Sequence, residues 1–446
     1  MFLIKRKWLL YAILLTLFLE GYVFSFYFFG ARIRIVQVLE VIGICYLLLL
    51  LLVGRNSLKK TPIDLPLWSY IGINFLALIN AIWLTRSIKI AVLMLSLVVL
   101  YYLIYNLITT SQIFEKAFRL LLYAGLAEII YGLYQVLAGI FNYYLGLNLY
   151  IGHLGMVHGA FIGSPWGRPY GTFVEPDWYG AICMFYALLF VSLYYSKIKE
   201  KKKFYFIAMA LSSIGLFFSF VRAAWVGFIV ASIVLLFFNY KSRLLKINLV
   251  LYARNIFILF IVIFLGIFLF SPLRVILKER FYSDYTGSRF GLENVRVQQM
   301  ETSFNAFLRH PLIGNGPGSG AFNYLVEENG EEYARNIVKG NASLQGQEGF
   351  NPSIVTTVLE DTGIIGLILF LALIGKIIFY NFKVILLIDD KYSIIALGLF
   401  GGLIGLFVSY IFTQGFWIPF IWVFLAFNMS ALRIGILARS KENNIN

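Results

Sequence analysis

Long apolar runs recur along this chain, each closed by a short cluster of charged or turn-forming residues. A run of about 18 or more apolar residues is long enough to cross the hydrocarbon core of a bilayer as a helix. The pattern predicts about twelve such spans. They lie near residues 8–29, 35–53, 64–84, 88–108, 119–141, 178–195, 204–221, 223–239, 255–271, 353–380, 393–413 and 416–434. The expected fold is therefore an all-α polytopic membrane protein. The N-terminus carries Lys5, Arg6 and Lys7 ahead of its first apolar run, as a signal peptide would. That run is too long, and no small-residue cleavage site follows, so it reads as the first span.

The spans divide the chain into three parts. Residues 1–271 hold the first nine, with a polar segment at 142–178; residues 272–352 form one large loop; residues 353–446 hold the last three spans and a tail. Within the loop, Leu292, Val295, Met300, Phe304, Phe307 and Leu308 recur at helical spacing. They predict an amphipathic helix over about 292–309, lying on the membrane surface or capping the bundle. Pro311 and the run GNGPGSG end it. The run lacks the closing Gly-Lys-Ser/Thr of a phosphate-binding loop, and no strand precedes it. It reads instead as a turn that lets two backbones approach. The remainder, NYLVEENGEEYARNIVKGNASLQGQEGF, is polar and reads as mobile.

Composition agrees with the pattern. The chain has 446 residues, of which 60% are hydrophobic and 13% charged, more apolar surface than a soluble chain of this length could hide. The net charge of +15 is explained by where the basic residues fall. Lys197, Lys199, Lys201, Lys202 and Lys203 crowd one connection, and alternate connections are similarly basic. The short connections between them hold only Arg32, Arg34, Arg86, Lys89, Arg168 and Arg222. Because basic residues mark cytoplasmic loops, both termini are expected in the cytoplasm. Segment 142–178, Arg222 and the large loop then fall together on the outer face. This removes the case for nucleic acid, for which no binding pattern is present. Cys45 and Cys183 both fall within spans and define neither a disulfide framework nor a metal site.

The stretch GRPYGTFVEPDWYGA, Gly167–Ala181, places charges of both signs before a long apolar run. Glu175 and Asp177 suit a helix N-terminus electrostatically; alternatively, one of them is a general base for an acceptor hydroxyl. Arg222, in LFFSFVRAAWVGFIV, is flanked by apolar residues on both sides. An ionisable group there is costly unless it faces a partner, a cavity or the interface. An outer arginine pair is suited to an anion, since arginine binds phosphate oxygens in a fork. Arg289 and Arg296, at the start of the loop helix, extend the same patch or form a solvated face. His310 reads as a helix-end residue. His153 and His158 lack ligand spacing, so no metal is expected.

Four segments in order carry a family resemblance: RPYGTFVEPDWYGA, SFVRAAWVGF, GSRFGLENVRVQQMETSFNAFLRHPLIGNGPGSGAF and VLEDTGIIGLILFL. The chain resembles the O-antigen ligase and polymerase superfamily of bacterial membrane glycosyltransferases. The resemblance implies a GT-C-type helical fold and a metal-independent, inverting-type transfer without cofactor. The implied donor is a glycan on undecaprenyl diphosphate. The implied acceptor is lipid A-core or a second lipid-linked glycan, with a chain-length regulator as a candidate partner. Arg168, Arg222 and Arg289 match the arginines expected to hold the donor diphosphate. Glu175 and Asp177 are the candidate bases. The chain departs from the ligases at one place: they carry a His-Asn pair at the end of the large loop, where this chain reads EGFNPSIVTTVLED. Asn351 is present without a histidine, so Glu175, Asp177, Glu348 or Glu360 must substitute, or the enzyme is a polymerase. Polymerase is the favoured reading. The rivals are a transporter, which would show repeats between halves, and a flippase for lipid-linked sugars.

Overall fold

The computed structural model describes residues 6–19, 25–28, 31–52, 58–146, 168–173, 175–197, 201–242, 290–340, 353–387, 390–413, 416 and 418–443. Its first half contains α1 (Arg6–Thr16), β1 (Ser25–Phe28), β2 (Ala31–Arg34), α2 (Ile35–Leu52), α3 (Asp64–Leu76), α4 (Leu84–Leu107), α5 (Ser111–Leu145), α6 (Pro176–Tyr195), α7 (Lys202–Ser219) and α8 (Arg222–Ser242). The second contains α9 (Phe290–Arg309), α10 (Gly320–Asn329), α11 (Glu331–Gly340), α12 (Ile354–Leu387), α13 (Lys391–Tyr410) and α14 (Pro419–Asn443). Six helices among the described residues, α4, α5, α6, α12, α13 and α14, are long and apolar enough to cross a membrane. Shorter apolar stretches lie in α1, α2 and α8. The span expected at 255–271 lies outside the described residues.

The expected 8–29 helix is interrupted. Helix α1 ends at Thr16, and an antiparallel hairpin follows, pairing Ser25 with Arg34 and Phe28 with Ala31. Helix α4 begins at Leu84, so Arg86 and Lys89, read from sequence as loop residues, lie within its first two turns. The loop helix predicted over 292–309 is observed as Phe290–Arg309.

The polar stretch expected to be mobile begins at Asn323, yet its residues up to Gly340 lie in α10 and α11. The reason is tertiary. Phe322 packs its ring 4.7 Å from that of Trp83, and Asn323 donates to the carbonyls of Asn80 (3.0 Å) and Asn315 (3.2 Å). Arg309 pairs with Glu327 and Glu328 across the α9–α10 turn. A polar sequence is thus ordered by bonds to residues more than two hundred positions away, which periodicity does not report.

At the centre of the bundle, α6 is buried over nearly its whole length. It rests in a groove on α13 made by Gly398, Gly402 and Gly405, which face Leu189, Phe185 and Met184. Small residues at this spacing let helices approach closely where apolar burial itself drives nothing in lipid. Phe185 also stacks on Phe424 of α14 with ring centroids 3.7 Å apart. A polar pair ties the last three helices. Asn381 and Asn428 exchange amide bonds of 3.0 and 2.9 Å, and Asn428 also donates to the Ala396 carbonyl at 3.0 Å.

The α8–α13 crossing is closer still, because a Cβ on Gly227 would overlap the Gly405 carbonyl oxygen. Gly227→Ala is expected to cost about 1–3 kcal/mol by overpacking. Gly375→Ala, where a Cβ meets nothing within 4 Å, is the control. Thermal unfolding in detergent should separate the two variants, and equal midpoints would contradict this packing.

Candidate functional site

The charged stretch quoted above folds into a turn gripped from the side by α5. Glu128 and Gln135 are seven residues apart on α5, so they share one face two turns apart. Glu128 accepts from the Thr172 amide and hydroxyl, both at 2.8 Å. Gln135 accepts from the amides of Tyr170 (3.1 Å) and Gly171 (2.9 Å) and donates to the Gly171 carbonyl at 2.8 Å. The Thr172 hydroxyl also reaches the Phe18 carbonyl beyond α1. Both α5 side chains are almost fully buried. In an apolar bundle the backbone of a turn must find such partners, because water is not there to supply them.

Gly171 is required at the turn on two counts. Its φ is +61°, and a Cβ would overlap the Glu128 carboxylate. After the turn, Pro176 opens α6 at its first position, where a missing N–H costs nothing. Tyr179 and Tyr186 of α6 then seat against Gly132 and Gly125 of α5, donating to the carbonyls of Ile129 (2.9 Å) and Leu121 (2.7 Å). The helix that grips the turn therefore also carries the helix that follows it.

This scaffold aims Arg168. Its Nη2 lies 2.6 Å from Asp177 Oδ1, and its Nε donates to the Ser219 carbonyl at 2.9 Å. Nη1 bonds to nothing among the described residues, and the side chain is 20% exposed. Ser219 ends α7; Phe220 takes a left-handed conformation (φ 53°) and the chain reverses into α8 at Arg222. Gly180 permits this meeting, since a Cβ there would come within 2.8 Å of Ser219 Oγ and 2.6 Å of Val221 Cγ2. The two arginine-bearing segments are thus joined through the main chain of one helical hairpin.

Arg222 lies in the first turn of α8 with its side chain exposed. Asp177 is engaged with Arg168. Glu175 occupies the N-cap position of α6 without making a capping hydrogen bond. Arg289, Glu348, Asn351, His153 and His158 lie outside the described residues. No group of three His, Cys, Asp or Glu among the described residues is arranged to hold a metal ion.

A second polar cluster forms where the glycine run meets α12. The amides of Asn315 and Gly316 donate to the carbonyls of Glu360 (2.9 Å) and Asp361 (3.0 Å), and the Gly318 amide reaches Asp361 Oδ1 at 2.7 Å. Helix α12 breaks at Gly363 (φ 66°, ψ −166°), where a Cβ would overlap the Leu312 carbonyl. The run is the close backbone approach expected of it. Glu360 and Asp361 are buried, as is Arg86 of α4, which stacks over Trp83 with its guanidinium 4.9 Å from the ring centroid. Both carboxylates attract Arg86 electrostatically. Separate aromatic contacts lie between the last helices and each side: Phe173 meets Phe420 at 6.0 Å, and Phe416 meets Phe370 at 5.3 Å.

A family model described as O-antigen ligase matches residues 207–371. The match covers little more than a third of the chain and supports a relationship to the O-antigen ligase and polymerase superfamily. The matched segment holds the Ser219–Arg222 hairpin, α9, the glycine run and the Glu360–Gly363 break; the Arg168 turn and its α5 grip precede it. The family implies a bacterial membrane enzyme with glycosyltransferase-like activity on lipid-linked glycan and lipid A-core types of substrate. No curated protein matches the chain.

Glu128, Gln135 and Arg86 escaped the sequence reading. Two polar side chains seven apart inside the apolar run 119–141 were the available signal. Gly171→Ala is expected to cost about 2–4 kcal/mol, combining the left-handed backbone with overpacking. Thermal unfolding would measure it, and a midpoint equal to wild type would refute the grip on this turn.

Proposed function

We propose that the protein is a polymerase of undecaprenyl-diphosphate-linked glycan, acting at the outer face of the bacterial cytoplasmic membrane. The observation that carries this reading is Arg168: locked by Asp177 and the Ser219 carbonyl, partly exposed, with Nη1 unbonded among the described residues. A guanidinium fixed on two sides offers its remaining edge to an anion without further ordering cost. The diphosphate of a lipid-linked donor is such an anion, with its tail in the bilayer and its head at the interface. Arg222, three residues after the bonded Ser219, and Arg289 complete the proposed donor site.

Asp177 then serves as the positioning partner of Arg168, and Glu175 as the base that takes the acceptor's proton. The reaction joins the acceptor oxygen to the anomeric carbon while the bond to the diphosphate breaks. The proton passes to the carboxylate, and undecaprenyl diphosphate departs. The scaffold is a GT-C-type bundle of about twelve spans with both termini inside. A polymerase is favoured over a ligase because EGFNPSIVTTVLED lacks the ligase histidine. No metal or cofactor is invoked.

Purified protein incubated with undecaprenyl-diphosphate-linked repeat units should give ladders of longer lipid-linked glycan without added acceptor. Product formed only with lipid A-core would make it a ligase. Intact lipid crossing a vesicle bilayer without product would make it a flippase. Arg168→Ala should lower polymer synthesis about ten- to a hundredfold, the worth of a charge-assisted bond. Arg168→Lys should also be impaired, since lysine cannot hold Asp177, Ser219 and phosphate together. Glu175→Gln should leave protein levels normal and abolish product. Unchanged synthesis in the Arg168 variants would remove the donor site.

A further inference from the structure

At the far end of α12 lies a cavity that none of this uses. It has a volume of about 570 Å³ and lies between the C-terminal parts of α12 and α14, with Pro62 ahead of α3. Lys376 lies thirteen residues after the break at Gly363, or roughly 20 Å along the helix. The cavity is therefore at the opposite end of the bundle from the motif clusters.

Its lining has two chemistries. Lys376, Lys383 and Arg439 supply three cations, and no acidic residue is among the lining side chains. Lys376 and Lys383 are two helical turns apart on one face. Among the described residues neither lysine has an acidic partner. Arg439 donates from Nη1 to the Leu387 carbonyl, which ties its guanidinium to the end of α12. Apart from the Tyr380 and Ser440 hydroxyls the remaining lining is apolar, and Phe379, Leu387 and Ile436 expose 61, 56 and 40% of their surfaces.

A cation this close to the hydrocarbon is costly unless an anion or the interface neutralises it. Exposed Phe and Leu beside it require an apolar partner. One molecule meets both demands. We propose that this cavity binds an anionic phospholipid. Lys376, Lys383 and Arg439 hold its phosphodiester headgroup, and its acyl chains run along Phe379, Leu387 and Ile436. Basic pockets between membrane helices bind anionic headgroups by this combination of charge and apolar contact, and the volume is that of a small-molecule site.

The test compares phosphatidylglycerol and phosphatidylcholine of identical acyl chains, titrated onto the full-length protein in detergent and read by native mass spectrometry. Wild-type protein should retain phosphatidylglycerol at least tenfold more tightly. The double variant Lys376→Gln, Lys383→Gln should lose roughly 25-fold in that affinity, about fivefold per lysine. Lys116→Gln, an exposed lysine on α5, should change nothing. Equal affinity for the two lipids would overturn the proposal, as would a double variant that binds like wild type. Displacement of phosphatidylglycerol by equimolar inorganic phosphate would assign the site to free phosphate and also overturn it. If the double variant does not purify as a single species, the single variants decide by the same fivefold criterion.

Discussion

The arrangement depends on one constraint: a polar turn placed inside an apolar bundle must have its backbone groups satisfied by protein. Here Glu128 and Gln135 satisfy them for Tyr170, Gly171 and Thr172. An unpaired amide or carbonyl at that depth costs several kcal/mol, so the turn has little freedom to move. Everything downstream inherits its position. Arg168 precedes the turn, Asp177 follows it, and α6, which starts from it, forms the packed centre of the molecule. Tyr179 and Tyr186 fasten that helix to the same α5 that grips the turn.

The two polar clusters share a logic. In each, a glycine with positive φ brings backbone into contact with a carboxylate-bearing helix: Gly171 against Glu128, and Gly363 against Leu312 beside Glu360 and Asp361. Each cluster also holds a buried or half-buried arginine with acids beside it. Aromatic rings pack near each: Phe173 against Phe420, and Phe416 against Phe370 and Trp422. The segment matched by the family model spans the α7–α8 hairpin and the second cluster. The Arg168 turn meets it at Ser219.

Much of the helical layout was legible because apolar runs and their charged ends are local signals. The glycine run was legible as a close backbone approach, and the 292–309 helix from its spacing. Three things were not. Helix α1 stops early and gives way to a hairpin, although its residues are as apolar as a span. Residues 320–340 are helical through bonds to Asn80 and Trp83, partners that no window on the sequence contains. Asp177, read as a helix-start acid or a candidate base, pairs with Arg168 nine residues before it, a contact that its type and place do not report. The grip itself was visible only as Glu128 and Gln135 inside an apolar run, and what they hold lies some forty residues further on.

The central claim is that the α5 grip sets the position of Arg168 for a diphosphate. Affinity for undecaprenyl diphosphate, measured in nanodiscs for wild type and Gln135→Leu, tests it most directly. Gln135 is fully buried, so it has no route to the ligand except through the turn. The account predicts that Gln135→Leu weakens binding at least tenfold in a protein that still purifies as a folded, monodisperse species. Wild-type affinity in that variant would contradict it.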